Sequence, residues 1–345
     1  MDFSEIKTEE SLWKFMTTPS ERLIESVYRL EGPVMILGGS GKMGKELVAL
    51  LKNADSICGK KRAVYVASTF SHPSGKDIDL FKNMGVRCFK GDLSDESFLK
   101  ILPNVPNVIY MMGFKFGSSN DWQRSFHLNS ITPFLVGSKY ASSKIVVFSS
   151  GNPYPHTPKN GTGCPENVLL DPIGIYGWSI VARESSFSIT AQQHKNQKIA
   201  FYRLMYAQHL GYGVLIDLAR MVYAHEPISL AMPAVNLVSQ REANEIALCS
   251  FDHCQNNPWT VNVAGPVWSV REIVYRMEKH MGKKAVLLQD EAALALLADD
   301  SMCVSTFGEY QDMGEDMIKS AAWWVAHGGA YWKNPTFFGR AKHDY

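Results

Sequence analysis

Short apolar runs alternate with amphipathic stretches over residues 32–205, and this alternation predicts the architecture. The apolar runs have the length and composition of buried strands, and the stretches between them have the spacing of helices. Short apolar strands that alternate with helices are typical of a parallel sheet covered on both faces. The pattern therefore predicts an α/β fold with a doubly wound parallel sheet, the Rossmann fold. The predicted strands are Pro33–Leu37, Ala63–Ala67, Val86–Lys90, Asn107–Met112, Lys144–Phe148 and Ile199–Leu204.

The pattern changes on both sides of this region. Residues 1–31 contain two stretches with helical spacing, which predict a helical N-terminal extension packed on the core. Residues 206–345 mix helical stretches with strand-like runs. We expect residues 32–205 to form a dinucleotide-binding domain and residues 206–345 to form a smaller mixed lobe that mainly binds substrate. The strand-like runs of this lobe are Ala234–Val238 and Thr260–Val263.

The first predicted strand leads into a glycine-rich turn and an amphipathic helix. Gly38, Gly41 and Gly44 have the spacing G-x-x-G-x-x-G. Glycines at such a turn let the backbone approach a pyrophosphate, whose charge the helix N-terminus stabilises. The turn predicts a dinucleotide site rather than a P-loop, because Met43 stands where a P-loop has Ser or Thr. The alternative is a glycine-rich turn without a ligand. The predicted cofactor contacts in the turn are Gly38, Ser40, Gly41, Lys42, Met43 and Gly44.

Composition and charge narrow the classes of partner. The formal net charge is +1, with 35 basic and 34 acidic side chains, which favours neither nucleic acid nor an anionic membrane as a partner. The six cysteines form no C-x-x-C pair, which is typical of reduced thiols in a cytoplasmic protein. No apolar run approaches the length of a membrane span, and the histidines show no metal-ligand spacing, so we expect no metal site.

Several short motifs occur in a fixed order along the chain. They are Gly91–Asp95 (G-D-L-S-D), Met112–Gly117 (M-G-F-K-F-G), Val147–Tyr154, Pro172–Ile180, Asn262–Gly265 (N-V-A-G) and Ser269–Glu272 (S-V-R-E). Together they resemble the extended short-chain dehydrogenases/reductases, the NAD-dependent epimerase/dehydratase family, and among these the UDP-galactose 4-epimerases. The resemblance runs from about residue 33 to about residue 325, and its specificity lies in the order and spacing of the motifs.

The resemblance implies NAD or NADP as the cofactor, a homodimer, and a role for each motif. Tyr176 takes the place of the family's general acid/base, and Ser150 that of the Ser or Thr that holds the substrate hydroxyl. Ser149 is the alternative if the register is shifted by one, and a serine pair that only caps the loop is another. The implied cofactor contacts outside the turn are Ser68, Asp92, Leu93, Met112, Gly113, Lys115 and Tyr176. The implied substrate contacts are Ser150, Asn152 and Tyr206.

Position 180 is isoleucine where the family has the lysine of Y-x-x-x-K. A tyrosine titrates at about 10, and a nearby positive charge favours its phenolate. Three interpretations follow. Another cation, Lys115 or else Arg183, replaces the lysine; Tyr176 acts as an acid or hydrogen-bond donor without a lowered pKa; or the fold has kept its cofactor and lost its chemistry.

The substrate half also departs from the family. Nucleotide-sugar members often carry R-Y-F-N where this chain has Arg203-Leu-Met-Tyr206, and an arginine at the start of the strand that matches Ala234–Glu242. A diphosphate requires cations or backbone donors. We therefore expect a free sugar, a sugar acid or another polyol-like molecule rather than a typical nucleotide sugar. The alternative is that charge comes by another route, from Arg203, Lys159, Arg220 or Arg241.

The choice between NAD and NADP stays open. The second predicted strand ends in Ala67-Ser68-Thr69, without the acidic residue that binds the ribose hydroxyls in NAD-specific sites. Lys42 or His72 would meet the 2′-phosphate of NADP, and a solvated Lys42 is the alternative.

These observations predict an NAD(P)-dependent oxidoreductase or epimerase that transfers hydride to and from a sugar-like alcohol or ketone. Gly151-Asn152 stands where dehydratases have an Asp-Glu pair, which disfavours dehydration. The alternative from another class is a non-catalytic NAD(P)-binding or regulatory protein, suggested by Ile180. The aromatic segment Ala322–Trp332 predicts a packed helix and loop, or else a lid over the cleft.

Overall fold

The central strands lie where the apolar runs predict them. The structure, a computed structural model, describes residues 3–71, 77–288, 290–312, 314–332, 336 and 338. Its strands are β1 (Val34–Leu37), β2 (Val64–Ser68), β3 (Arg87–Lys90), β4 (Asn107–Tyr110), β5 (Lys144–Ser150), β6 (Thr157–Pro158), β7 (Lys198–Leu204), β8 (Ala207–Gln208), β9 (Pro227–Ile228), β10 (Ala234–Asn236), β11 (Val238–Ser239), β12 (Trp259–Val263), β13 (Val267–Ser269), β14 (Val286–Leu287) and β15 (Leu294–Ala295).

A seven-stranded parallel sheet forms the centre, in the order β12-β7-β5-β4-β1-β2-β3. The strand order reverses at β1, which confirms the predicted doubly wound Rossmann fold. The placement of Thr260–Val263 in the C-terminal lobe was wrong, because this run forms most of β12 and pairs with β7. Val261 and Val263 are fully buried in the core beside the sheet, so the strand is held there by apolar burial.

Helices cover both faces of the sheet. They are α1 (Glu9–Thr17), α2 (Glu21–Arg29), α3 (Gly44–Ile57), α4 (Asp77–Asn83), α5 (Glu96–Ile101), α6 (Trp122–Phe126), α7 (Thr132–Lys139), α8 (Gly174–Gln193), α9 (Val214–Ala224), α10 (Gln240–Cys249), α11 (Val270–Met281), α12 (Ser301–Phe307) and α13 (Gly314–Ala326), with a π-helix at His127–Ile131 and 3-10 helices at Phe3–Glu5 and Ser250–His253. Val34 and Ile36 of β1 join one apolar core with α3 and α10, whereas Met35 and Leu37 join another with α7 and α8. This alternation along one strand shows that both sheet faces are buried.

A third apolar core lies in the C-terminal part of the chain, among α9, α11 and α13. Helix α1 contributes Leu12 and Phe15 to this core. Ser20, the N-cap of α2, donates two hydrogen bonds to the Glu245 carboxylate on α10, from its N at 2.9 Å and from its Oγ at 2.6 Å. The N-terminal helices therefore contact both the sheet layers and the C-terminal core. Among the helices of the described residues, none is long and apolar enough to cross a membrane.

Candidate active site

The glycine turn between β1 and α3 has two glycines that the protein's own packing requires. Gly38 has φ of +86°, and a Cβ there would lie 2.7 Å from the backbone N of Met112. A Cβ on Gly44 would lie 2.0 Å from the carbonyl oxygen of Gly39. Gly41 differs, because its nearest neighbour would be the Gly38 carbonyl at 3.4 Å, an ordinary contact. Because Gly41 has no side chain, the backbone of the turn is accessible at this residue.

The N-terminus of α3 offers donors to an anion at the same place. Met43 is the N-cap, and its side chain makes no capping hydrogen bond. The first N–H groups of a helix have no partner within the helix, and they carry its positive dipole end. Open backbone at Gly41 next to this helix N-terminus fits the pyrophosphate of a dinucleotide.

The end of β2 carries hydroxyl groups rather than a carboxylate. Ser68 and Ser40 share a hydrogen bond of 2.6 Å between their Oγ atoms, which ties β2 to the glycine turn. Asp92, after β3, accepts hydrogen bonds at Oδ1 from the N and Oγ of Ser94, and Leu93 is buried in a core. These four predicted cofactor residues lie at or just after the carboxyl ends of neighbouring strands. His72 lies outside the described residues.

Lys115 lies beside Tyr176. Its Nζ is 5.5 Å from the centroid of the Tyr176 ring, although the two residues come from the loop after β4 and from the first turn of α8. Burial lowers the pKa of Lys115, and the charge of a Tyr176 phenolate would raise it. The chain thus places a cation at the tyrosine without the lysine of the Y-x-x-x-K pattern. Ile180 is fully buried.

Arg183, the second candidate cation, lies beneath the segment that follows β4. Its guanidinium donates to the Phe148 carbonyl at 2.8 Å and to Asn129 Oδ1 at 2.6 Å. A Cβ on Gly113 would lie 2.6 Å from Arg183 Nη2, so a side chain at position 113 would collide with it. Arg183 is 4% exposed and thus supplies buried positive charge under the backbone of Met112 and Gly113.

Asn129 was not predicted, yet it connects the segments that carry Lys115 and Tyr176. Its side chain exchanges hydrogen bonds with the N and O of Phe114 and donates to Ser179 Oγ at 2.9 Å. Ser179 in turn donates to the Tyr176 carbonyl at 2.7 Å. Asn129 lies in the π-helix, a distortion that is frequent at functional sites. The sequence does not reveal this role of Asn129, because the residue is one polar position in a helical stretch. Its hydrogen-bond partners come from two distant segments.

The serine pair at the end of β5 divides into a buried and an accessible member. Ser149 donates to Glu184, which forms a buried bidentate ion pair with Arg203, with N···O distances of 2.9 and 2.7 Å. Ser150 is only partly buried, and its Oγ donates to Asn152 Oδ1 at 2.8 Å. The Asn152 carbonyl would be 2.9 Å from a Cβ on Gly177, so the loop lies against the first turn of α8, next to Tyr176.

Several cations of the substrate half are engaged within the protein. Arg203 is paired with Glu184, Arg241 with Asp312 at 2.7 Å, and Lys159 with Glu291. The guanidinium carbon of Arg220 lies 4.8 Å from the ring centroid of Tyr331. The first three of these charges are neutralised by carboxylates.

Lys42 faces three aromatic rings rather than the end of β2. Its Nζ lies 3.2 Å from the ring centroid of Tyr212, 5.2 Å from that of Phe116 and 5.3 Å from that of Trp332. Burial and the charge of Lys115 lower the pKa of Lys42 to about 8. This geometry does not support the suggested contact of Lys42 with a 2′-phosphate, because that group would lie at the end of β2.

The C-terminal segment packs on the stretch after β7 that holds Tyr206. The N of Trp332 donates to the Gly211 carbonyl at 2.8 Å, and the ring of Phe338 lies 6.2 Å from that of Tyr206, edge to face. Among the described residues, no three His, Cys, Asp or Glu side chains are grouped so as to hold a metal ion.

Solved structures that include UDP-glucose 4-epimerases have the same fold. MoeE5 in complex with UDP-glucose and NAD is 18% identical, with 86% of this chain and 99% of that chain covered and a TM-score of 0.67. The UDP-Glc/GlcNAc 4-epimerase from Campylobacter jejuni is 19% identical over 86% and 100%, with a TM-score of 0.68. UDP-glucose 4-epimerase from Thermotoga maritima with UDP-glucose is 16% identical over 86% and 99%, also with a TM-score of 0.68.

The chain has the fold of the UDP-glucose 4-epimerases. The resemblance drawn from the sequence motifs is thereby confirmed for the fold. No protein-family model matches the chain, and no curated protein is significantly similar to it in sequence.

Proposed function

We propose that the protein is an NAD-dependent oxidoreductase or epimerase that acts on a sugar-like alcohol or ketone. The observation that carries the proposal is the proximity of Lys115 to Tyr176, with Nζ 5.5 Å from the ring centroid. Both residues lie at the same edge of the sheet as the glycine turn, whose backbone is accessible at Gly41. A tyrosine beside a cation and next to a dinucleotide site has the groups that proton and hydride transfer require. The complexes of MoeE5 with NAD favour NAD over NADP as the first cofactor to test.

In this proposal the chain's own residues bind, orient and move one proton. Tyr176 takes the proton from the substrate hydroxyl as a carbon is oxidised and returns it when the ketone is reduced, while Ser150 Oγ holds that hydroxyl by a hydrogen bond. Lys115 stabilises the Tyr176 phenolate. NAD held at the glycine turn would supply a hydride acceptor for the oxidation and, in an epimerase, a hydride donor for the reduction that follows. Asn152 and Tyr206 contact the substrate, and residues 206–345, apart from β12 and α10 in the layers of the central sheet, contribute mainly to that side of the cleft.

A substrate without a nucleotide diphosphate is part of the proposal. The neighbours with this fold include complexes with UDP-sugars, which keeps UDP-glucose in the set of compounds to test. The ion pairs of Arg203, Arg241 and Lys159 support a smaller substrate, because these cations are already neutralised. A diphosphate would have to displace a carboxylate or rely on backbone donors.

A second copy of the chain is the proposed partner. Helix α8 exposes the large apolar side chains of Trp178 and Ile189. Helix α6 exposes Trp122, and the π-helix that follows α6 exposes Ile131. Exposed large apolar residues grouped on two packed helices favour an interface. A non-catalytic NAD-binding protein is the second candidate function, favoured by the fully buried Ile180.

The test of the proposed function is the nucleotide content of the protein as purified. The protein is denatured, and any released nicotinamide nucleotide is identified and quantified by mass spectrometry. Near-stoichiometric NAD supports an epimerase, which recycles its cofactor within each turnover. An empty site that binds added NAD reversibly supports a dehydrogenase. Absence of NAD and NADP, together with no binding of either, refutes the function, and binding without hydride transfer to any sugar-like compound favours the non-catalytic candidate.

A further inference from the structure

Two lysine ammonium groups from different segments flank one aromatic ring at the proposed site. Lys42, in the glycine turn, has its Nζ 5.2 Å from the ring centroid of Phe116, and Lys115 has its Nζ 6.0 Å from the same centroid. Lys115 also approaches the ring of Tyr176. Arg183, which is buried beneath the backbone of Gly113, is a third basic side chain in this region. Three basic side chains therefore lie in or next to the loop after β4.

Aromatic rings hold Lys42 in place without neutralising it. The rings of Tyr212 and Trp332 pack around its ammonium group, and such contacts stabilise a cation while leaving its charge intact. Asp217 is the carboxylate that favours the charged form of Lys42, and this carboxylate also accepts hydrogen bonds from the N and Oγ of Thr336 at 2.7 and 2.6 Å. The charge of Lys115 disfavours the charged form of Lys42, and an anion that contacts both lysines would offset that cost.

We propose that Lys42 and Lys115 together bind an anionic group of the substrate, a carboxylate or a phosphate, beside Tyr176. This inference rests on the proposed function and narrows its substrate to a sugar acid or a sugar phosphate. The other source of such an anion is the cofactor pyrophosphate. The substrate is favoured because Lys115 lies at Tyr176, the proposed proton-transfer residue, whereas the pyrophosphate fits the backbone donors at the start of α3.

The test measures binding to the NAD-loaded protein, so that the pyrophosphate site is filled. D-glucuronate, D-glucose 6-phosphate, inorganic phosphate and neutral D-glucose are titrated by calorimetry at constant ionic strength. We expect at least one anionic sugar to bind about tenfold more tightly than glucose, or more. We expect Lys42→Met and Lys115→Met each to remove most of that preference, and the NAD affinity of each variant is measured in parallel.

Lys52→Met is the matched control, because it removes the same charge from the far half of α3; it should leave the preference for anions unchanged. If no anionic probe binds more tightly than glucose, the inference is wrong. If Lys42→Met instead weakens NAD about tenfold and leaves the preference for anions intact, the lysines bind the cofactor pyrophosphate and the inference is also wrong. The NAD titration of the wild-type protein reports separately on the proposed function.

Discussion

At the scale of single residues, the replacement of a helix-borne lysine by a loop-borne one changes how the charge is held. A lysine at position 180 would be fixed on α8 with Tyr176, but Ile180 is buried there. Lys115 instead depends on the loop after β4, which Asn129 ties to α8 through Phe114 and Ser179. The position of the cation relative to the tyrosine is therefore set by a hydrogen-bond network rather than by one helix.

Lys115→Met should lower turnover by about 10²-fold or more, because the proton transfer loses the charge that favours the Tyr176 phenolate. The measurement is kcat for a sugar-like substrate found by screening for NADH absorbance, with NAD binding measured in parallel. Arg183→Met is the comparison, since Arg183 is the second candidate cation and lies buried beside the same loop. Near-normal turnover in Lys115→Met would exclude Lys115 as the replacement, and a loss in Arg183→Met alone would assign that role to Arg183.

Glu46, in the first turn of α3, should make stability depend on pH. Burial raises its pKa from the ordinary 4.5 to about 7, and His209, whose Nε2 lies 3.8 Å from Glu46 Oε1, has its pKa lowered to about 4 by burial. Because the folded pKa of Glu46 is raised, the stability present below about pH 4.5 is lost as the pH rises through about 7. His209 has the opposite effect, because its folded pKa of about 4 lies below its ordinary 6.5, so stability lost to its protonation in the unfolded chain at low pH returns as the pH rises through about 6.5. Comparison with a variant that keeps His209 cancels this contribution and isolates Glu46.

The difference in unfolding free energy between Glu46→Gln and the wild type should therefore increase by about 2–3 kcal/mol, in favour of the variant, as the pH rises from about 5 to about 8. Urea unfolding at both pH values measures this gain. Glu96→Gln, on the exposed face of α5, is the control and should show no such gain. Parallel stability curves for Glu46→Gln and the wild type would show that Glu46 does not titrate in this range.

At the scale of elements, local patterns predicted the strands and the glycine turn, since both depend on neighbouring residues. The pairing of β12 with β7 was missed because the apolar pattern of Thr260–Val263 shows a buried strand but not its partner. The direction of Lys42 was missed for a similar reason, because Phe116, Tyr212 and Trp332 come from three distant segments. What the sequence left open is the set of contacts that only the folded chain brings together.

The glycine turn gives a prediction that separates folding from cofactor binding. Gly38→Ala should lower the unfolding free energy by about 2 kcal/mol or more. The turn would hold the alanine at a positive φ, and its Cβ would collide with the backbone of Met112. Gly41→Ala should change stability by less than about 1 kcal/mol, because its Cβ meets only an ordinary contact. The same Cβ should weaken NAD binding about tenfold by keeping the pyrophosphate from the backbone.

Urea unfolding and calorimetric NAD titration of both variants provide the two measurements. Wild-type NAD affinity in Gly41→Ala would mean that the cofactor does not approach the turn at this residue. Equal destabilisation of both variants would mean that the turn is constrained throughout by the protein's own packing.

At the scale of the whole molecule, α8 connects the proposed chemistry with the proposed dimer. Its first turn holds Tyr176, and its outward side exposes 51% of Trp178 and 46% of Ile189. The spacing of these two residues is close to a whole number of turns, so they share one face of the helix. Ile131, in the adjacent π-helix, extends the apolar surface. A partner chain on this surface would hold the helix that positions the tyrosine.

Trp178→Asp and Ile131→Asp should each shift the protein from dimer to monomer, because a charge at the centre of an apolar interface is left without a partner. Size-exclusion chromatography with light scattering measures the mass against the chain mass of 38.6 kDa. Tyr28→Asp places the same charge on an exposed ring of α2, away from this surface, and should leave the dimer intact. A wild-type protein that is monomeric at micromolar concentration, or a dimer that survives both substitutions, would refute this interface. If the variants become monomers and also lose turnover while keeping NAD affinity, the partner chain acts on the site through α8.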